Sequence, residues 1–214
     1  MVKYLGPKIK ILKTLGISFL PGFSSKILVN FKDKFIEKKT EYFFKLKEKQ
    51  KIRFYYGITN KSLKKYIILA KKKLGIINLN LIKLLELRLD SILFKSGFCK
   101  TICQAKQFIN HNHIFVNKIL IKTPSFKLNY NDIIYIKYNL SILNIIKNNL
   151  INKLLEYKFK QNNYQFLIIN SNFNLYQICL ISFKIKILRI IKPKDIIFKF
   201  NDKLILENYL NLLK

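Results

Sequence analysis

Between Arg88 and Ile136 the spacing of apolar residues changes from a helical repeat to one near two, and no other stretch limits the possible folds as much. Leu89, Ile92, Leu93 and Ser96 fall on one helical face, and Gly97 sits where a left-handed residue would stop the helix. Thr101 then offers an N-cap hydroxyl, and Gln104 can reach back to complete a capping box. Ile102, Ala105, Phe108 and Ile109 make the inward stripe of a second helix, leaving Cys103, Lys106, Gln107 and Asn110 outward. After His113 the alternation shortens. Ile114-Phe115-Val116 and Ile119-Leu120-Ile121 flank Asn117-Lys118, and a third run spans Ile133 to Ile136 beyond Pro124-Ser125. The expected class is α+β, with two helices packed on a small antiparallel sheet.

Charge narrows what such a unit could hold. Of 214 residues, 41 are Lys or Arg and 11 are Asp or Glu, a formal net charge of +30. Cations in that excess repel one another, so a polyanion is the natural counter-charge. Their interleaving with Tyr and Phe favours nucleic acid over a membrane surface or a merely basic soluble protein. No apolar run reaches the roughly 18 to 20 residues of a spanning helix, so no membrane partner is expected. The opening MVKYLGPKIK has neither the apolar core of a secretory signal nor the Arg- and Ser-rich character of a transit peptide, and reads as a chain made where it acts. Cys99, Cys103 and Cys179 form no closely spaced even set and imply no disulfide.

In chain order, residues 1–40 mix Gly6, Pro7, Gly16, Pro21 and Gly22 with lysines. They read as an irregular basic arm with little core of its own, with Lys3, Lys8 and Lys10 lying along phosphates. Residues 41–87 read as a helical domain. One helix runs from Glu41 to Tyr56 and stops at Gly57. The next is capped by Thr59, carries the stripe Leu63, Tyr66, Ile67 and Ala70, and ends by Gly75. A third, from near Asn78, continues through Leu81, Leu84 and Leu85 without a breaker into the helix at Leu89. Residues 88–138 form the helix-helix-hairpin module. Residues 139–214 are expected to continue its sheet and end in a tail, with a helical segment over 139–163. Strands are expected at Phe166 to Ile169, Ile185 to Ile191, Ile196 to Phe200 and Lys203 to Glu207.

Several constellations invite a chemical reading. Cys99, Cys103, His111 and His113 have the ligand types of a zinc site, but Cys103 faces outward while Cys99 precedes its helix, so no metal is expected. The two histidines, beside Lys106 and Lys118, can donate to phosphate or sugar oxygens, or one can cap the last helical turn. Arg88 and Asp90 suit an ion pair or cap better than a catalytic pair. There is no P-loop, no Gly-x-Ser-x-Gly, no Rossmann glycine set and no paired carboxylates, so no enzymatic activity is expected. The candidate phosphate contacts of the module are Lys95, Lys100, Lys106, Lys118 and Lys122, and of the helical domain Lys61 and Lys64. Arginines are confined to Arg53, Arg88 and Arg189. Compact ammonium groups match phosphates rather than base edges, so the nucleic-acid backbone and its shape, not its base sequence, are the expected target.

These residues resemble a known module. Arg88-Leu89-Asp90, Gln104-Ala105, His111-x-His113-Ile114-x-Val116-Asn117, Pro124-Ser125-Phe126 and Asp132-Ile133-Ile134 are similar to the RNA-binding module named after the small-subunit ribosomal protein four family, the S-four family. Tyr4-x-Gly6-Pro7, Leu15-Gly16, Leu20-Pro21-Gly22 and Ser24-Ser25-Lys26 resemble the start of that family, especially its plastid and cyanobacterial form. Lys49-Gln50-Lys51-x-Arg53-Phe54-x-Tyr56-Gly57 resembles its next signature, and Leu204 to Tyr209 its ending. The resemblance implies that Lys49, Lys51, Arg53, Tyr56 and Arg88 belong to an RNA-binding surface. It also implies a structural constituent of the small ribosomal subunit that binds small-subunit rRNA directly and helps nucleate assembly. The implied partners are that rRNA, neighbouring small-subunit proteins, and messenger RNA near its entrance, where decoding accuracy is affected. Some bacterial members hold the arm with a four-cysteine zinc site. No Cys precedes position 99 here, so no cofactor is expected. An RNA-modifying or tRNA-handling factor that carries the same module is the alternative. Residue types with A/T-rich codons abound, which suggests synthesis inside an organelle: a plastid, apicoplast-like ribosome, or alternatively a mitochondrial one.

Overall fold

The structure, a computed structural model, describes residues 7–23, 40–158, 176–179, 182–189, 201, 204–205, 207 and 209. The chain divides into two compact units, Met1–Leu85 with Ile196–Lys214, and Glu86–Asp195.

The first unit is helical among its described residues. Helix α1 spans Lys8–Leu15 and buries Ile11, Leu12 and Leu15. Leu12 and Leu20 belong to the same apolar cluster as Ile52, Tyr55, Leu63, Ile67 and Leu85, so this part of the expected arm contributes to a core. The expectation of an irregular arm is corrected there, because Ile11, Leu12 and Leu15 recur at helical spacing and have somewhere to pack. Helix α2 covers Glu41–Tyr56 and stops at Gly57, whose φ of 57° lies in the left-handed region. Helix α3, Asn60–Lys71, is capped by Thr59, whose hydroxyl oxygen accepts from the Ser62 amide at 3.2 Å. Its stripe Leu63, Ile67 and Ala70 is buried. Helix α4, Ile77–Glu86, follows a loop held by Asn80, whose side-chain amide donates to the carbonyls of Lys73 and Leu74 at 3.3 and 3.1 Å. Ile205 and Tyr209 also join this core. Leu204, Ile205, Glu207 and Tyr209 are helical, correcting the strand expected over Lys203 to Glu207. Ile205 and Tyr209 are four apart and both buried, the spacing of one helical face.

In the second unit, helix α5 spans Leu89–Ser96 and ends at Gly97, φ 91°. The uninterrupted helix expected into Leu89 is not present: α4 stops at Glu86, and Arg88 is extended and bridges to Lys127. The first amides of α5 are satisfied by the loop that carries Pro124-Ser125-Phe126. Leu89 donates to the Phe126 carbonyl at 2.9 Å and Asp90 to that of Pro124 at 3.3 Å. Helix α6, Ile102–Asn110, has the Thr101 hydroxyl accepting from the Gln104 amide at 3.2 Å. Gln104 returns to Lys100, accepting its amide at 2.7 Å, one residue earlier than a capping box requires.

Strands β1 (Ile114–Val116) and β2 (Ile119–Leu120) form a hairpin, and β3 (Ile133–Ile136) pairs antiparallel with β1. Helix α7, Leu140–Lys158, packs Ile142, Ile146 and Leu150 into the core. Strands β4 (Tyr176–Cys179) and β5 (Lys184–Ile187) extend the antiparallel sheet, in the order β2-β1-β3-β5-β4. The continuation of the sheet past residue 139 therefore rests on β5 beside β3. It was expected as one longer run at Ile185 to Ile191, and β4 had not been read from the sequence. The runs at Phe166 to Ile169 and Ile196 to Phe200 lie outside the described residues.

Candidate nucleic-acid interface

In the second unit the outward positions lie on α6 and the hairpin. Lys100, Cys103, His111, Lys118 and Lys122 are exposed. The hairpin tip is fixed by its own polar network. The Asn117 side-chain amide donates to Asp132 Oδ1 at 2.8 Å, and its oxygen accepts from the Ile133 amide at 3.0 Å. Asp132 Oδ2 accepts from the Asn129 amide at 2.6 Å. Asn117 and Lys118 have φ of 49° and 69°, the positive pair that a two-residue primed turn requires. Lys118 is thus held out at the tip in a conformation that non-glycine residues adopt at a cost.

His111 and His113 stand with ring centres 6.2 Å apart. Burial, helped by His111 and Lys137, pushes His113 below the usual histidine range, so it favours the neutral form. Lys106 is half-buried, its ammonium 3.7 Å from Asp90 Oδ2, and burial lowers its pKa. Cys99 is buried, which pushes its thiol up, while Cys103 is exposed. No three His, Cys, Asp or Glu side chains among the described residues are placed to hold a metal ion.

Three sequence candidates are buried in the fold. Arg88 is 4% exposed and clamps Asp90 with two bonds, Nε to Oδ1 at 3.0 Å and a terminal nitrogen to Oδ2 at 2.7 Å. Lys95 is 8% exposed and its ammonium pairs with the buried Glu86. Tyr56 is 1% exposed and packs edge-on against Tyr55 with ring centres 4.7 Å apart. Arg88 and Lys95 are held in ion pairs, and Tyr56 sits in the apolar cluster of the first unit.

In the first unit Lys61, Lys64 and Lys65 stand exposed on α3, on the side away from Leu63 and Ile67. Lys8 and Lys10 are exposed on α1, and Lys8 lies 5.7 Å from the Phe23 ring centre. On α2, Lys51 is paired with Glu48 at 2.5 Å, whereas Lys49 and Arg53 are half-buried. Lys3 lies outside the described residues. Exposed Lys13, Lys127 and Lys137 were not singled out in the sequence, although the same signal, a lysine off the apolar stripe, marks Lys13.

A helix-helix-hairpin unit with exposed lysines, joined in sequence to a helical unit with its own lysine-bearing face, defines a class of polyanion-binding, RNA-associated proteins. Residues 87–134 match the S4 domain family, and residues 3–86 match the Ribosomal protein S4/S9 N-terminal domain family. The chain is 42% identical over 159 residues to small ribosomal subunit protein uS4c of Phaeodactylum tricornutum, covering 71% of this chain and 77% of that one. It is 41% identical over 154 residues to uS4c of Lotus japonicus, covering 70% and 76%. Against uS4c of Marchantia polymorpha the identity is 40% over 156 residues, covering 70% and 76%. The chain belongs to the uS4 family of small ribosomal subunit proteins.

Proposed function

We propose that this chain is a structural, non-catalytic component of the small subunit of a plastid ribosome that binds small-subunit rRNA through phosphate contacts from both units and helps nucleate assembly. The observation that supports this best is the pair of uncompensated lysine groups. Lys61 and Lys64 in one unit, and Lys100, Lys118 and Lys122 in the other, are exposed and have no carboxylate partner among the described residues. His111 and the half-buried Lys106 and His113 border the second group, and Lys8 and Lys10 add to the first. The plastid assignment follows the uS4c name shared by the relatives. Neighbouring small-subunit proteins and messenger RNA near its entrance complete the set of proposed partners. Cosedimentation tests the role: the protein stays with small subunits after a high-salt wash, and release to the top of the gradient would refute it. Filter binding tests the mode. A folded small-subunit fragment is expected to bind more tightly than an unfolded strand of equal length across a salt series, and equal affinity would sink shape recognition.

A further inference from the structure

Lys45, Lys49 and Arg53 are spaced four apart on α2 and so share one face of that helix. Lys45 meets carboxylates, Glu41 at 2.5 Å and Glu207 at 3.2 Å. Lys49 and Arg53 meet none among the described residues. The Lys49 ammonium lies 5.4 Å from the centre of the Tyr209 ring, and Arg53 donates to Gln50 Oε1 at 2.6 Å and lies 5.7 Å from the Phe54 ring centre. The Arg53 Nε and the Tyr209 hydroxyl are buried with no hydrogen-bond partner. Tyr209 itself is only 3% exposed. Burial pushes both cations down, and Arg53 lowers Lys49 further. Buried polar atoms are almost always satisfied in native proteins, so the orphaned Tyr209 hydroxyl and Arg53 Nε, with the Lys49 ammonium beside the same ring, mark a place for an anion.

We propose that Lys49, Arg53 and Tyr209 form a phosphate-binding subsite, in which the oxygens of one tetrahedral oxyanion accept from the Lys49 ammonium, the Arg53 guanidinium and the Tyr209 hydroxyl. Lys49, half-buried and against the ring instead of in an ion pair, is the side chain that swings to admit it. Guanidinium and ammonium groups make their strongest hydrogen bonds to such oxyanions. Taking the anion to be a backbone phosphate of RNA rests on the function proposed above.

Two experiments on the full chain separate the subsite from that function. Inorganic phosphate is titrated into the free protein against chloride at constant ionic strength, with the Tyr209 ring resonances assigned by comparison with Tyr209→Phe. A saturable shift is expected in the wild type and its loss in Lys49→Gln with Arg53→Gln; no saturable shift in the wild type overturns the subsite. In filter binding to a folded small-subunit fragment, Lys49→Gln and Arg53→Gln should each weaken binding, and together they should lower the slope of log affinity against log salt by about one, because both cations neutralise the same phosphate. Tyr209→Phe should weaken binding roughly three- to tenfold with the slope unchanged. Its urea midpoint without RNA should equal or exceed that of the wild type, and a fall would make the hydroxyl structural and overturn the proposal. Unaltered RNA binding by all three variants overturns the RNA-backbone assignment alone. Failure of the wild type to prefer folded RNA overturns the ribosomal reading, and the phosphate titration still decides the subsite.

Discussion

On α3, Lys61, Lys64 and Lys65 stand in solvent beyond the packed stripe Leu63, Ile67 and Ala70, whereas at α5 Arg88, Asp90 and Lys95 are all buried within ion pairs. Residue type does not separate the two helices; the number of faces each one packs does. Only one side of α3 is covered, so its lysines keep their hydration and stay available to a phosphate. Almost the whole of α5 is enclosed, with Phe94 alone half-exposed, so any charge on it must bring its own partner. Lysine counts in a basic protein thus mix two populations, one that binds and one that is already bound.

The largest test of that contrast is Asp90→Ala. It removes the carboxylate that the buried Arg88 clamps and that lies 3.7 Å from Lys106, and should cost about 3 to 5 kcal/mol in urea unfolding. A loss under about 1 kcal/mol would mean that Arg88 reaches solvent and behaves like the lysines of α3. Lys118 sits between the two populations, exposed yet held at positive φ. Lys118→Gly should stabilise the free protein by roughly 0.5 to 1 kcal/mol while weakening its hold on RNA. Lower stability would indicate that the lysine is not strained at the turn. Lys61→Ala and Lys64→Ala should each change stability by less than about 0.5 kcal/mol, with the RNA salt slope falling by about one per residue. A drop in melting temperature of several degrees would place these lysines with those of α5.

The smallest effect concerns pH. His113 has its pKa depressed in the folded state, so the unfolded chain binds the proton more readily. Stability from this group is present above the ordinary histidine value of 6.5 and is lost as pH falls through the folded value. Thermal melts between pH 7 and 5 should therefore fall less steeply for His113→Gln than for the wild type.

Much of the architecture could be read before the structure. Helix α2 with its Gly57 stop, the Thr59 and Thr101 caps and the positive-φ hairpin follow from local signals, because caps and tight turns are set by neighbours in sequence. The misread elements depend on distant packing. The positions near Ile205 and Tyr209 are rich in Leu and Ile, which fit either period, and only burial beside Ile52 and Tyr55 makes them helical. The site candidates divide the same way. Lys61, Lys64, Lys100 and Lys122 lie where the stripe pattern leaves the surface. Lys95 also lies off its stripe, yet its ammonium is drawn into a pair with the buried Glu86, and no local pattern announces that. Tyr56 is buried with its ring edge-on to Tyr55, a packing set by the helical core that the signature around Lys49 to Gly57 does not announce.

The closing of α5 by α7 bears on how the chain acquires its shape during synthesis. Lys153 donates to the Lys95 carbonyl, Asn149 donates to that of Phe98 at 3.0 Å, and a Cβ on Gly97 would meet the Lys153 side chain at 2.5 Å. Those partners are 58 and 51 residues apart, and the Glu48 carboxylate that accepts the Asn201 amide waits 153 residues. A nascent chain emerging from the ribosome exposes α2 and α5 long before their covers arrive, with the apolar stripes bare and the lysines mutually repelling. Folding dominated by such late, long-range contacts is slow and prone to stray association. A polyanion that engages the lysines of α3 first would shield the incomplete chain during that interval, so that assembly onto RNA and completion of the fold proceed as one process.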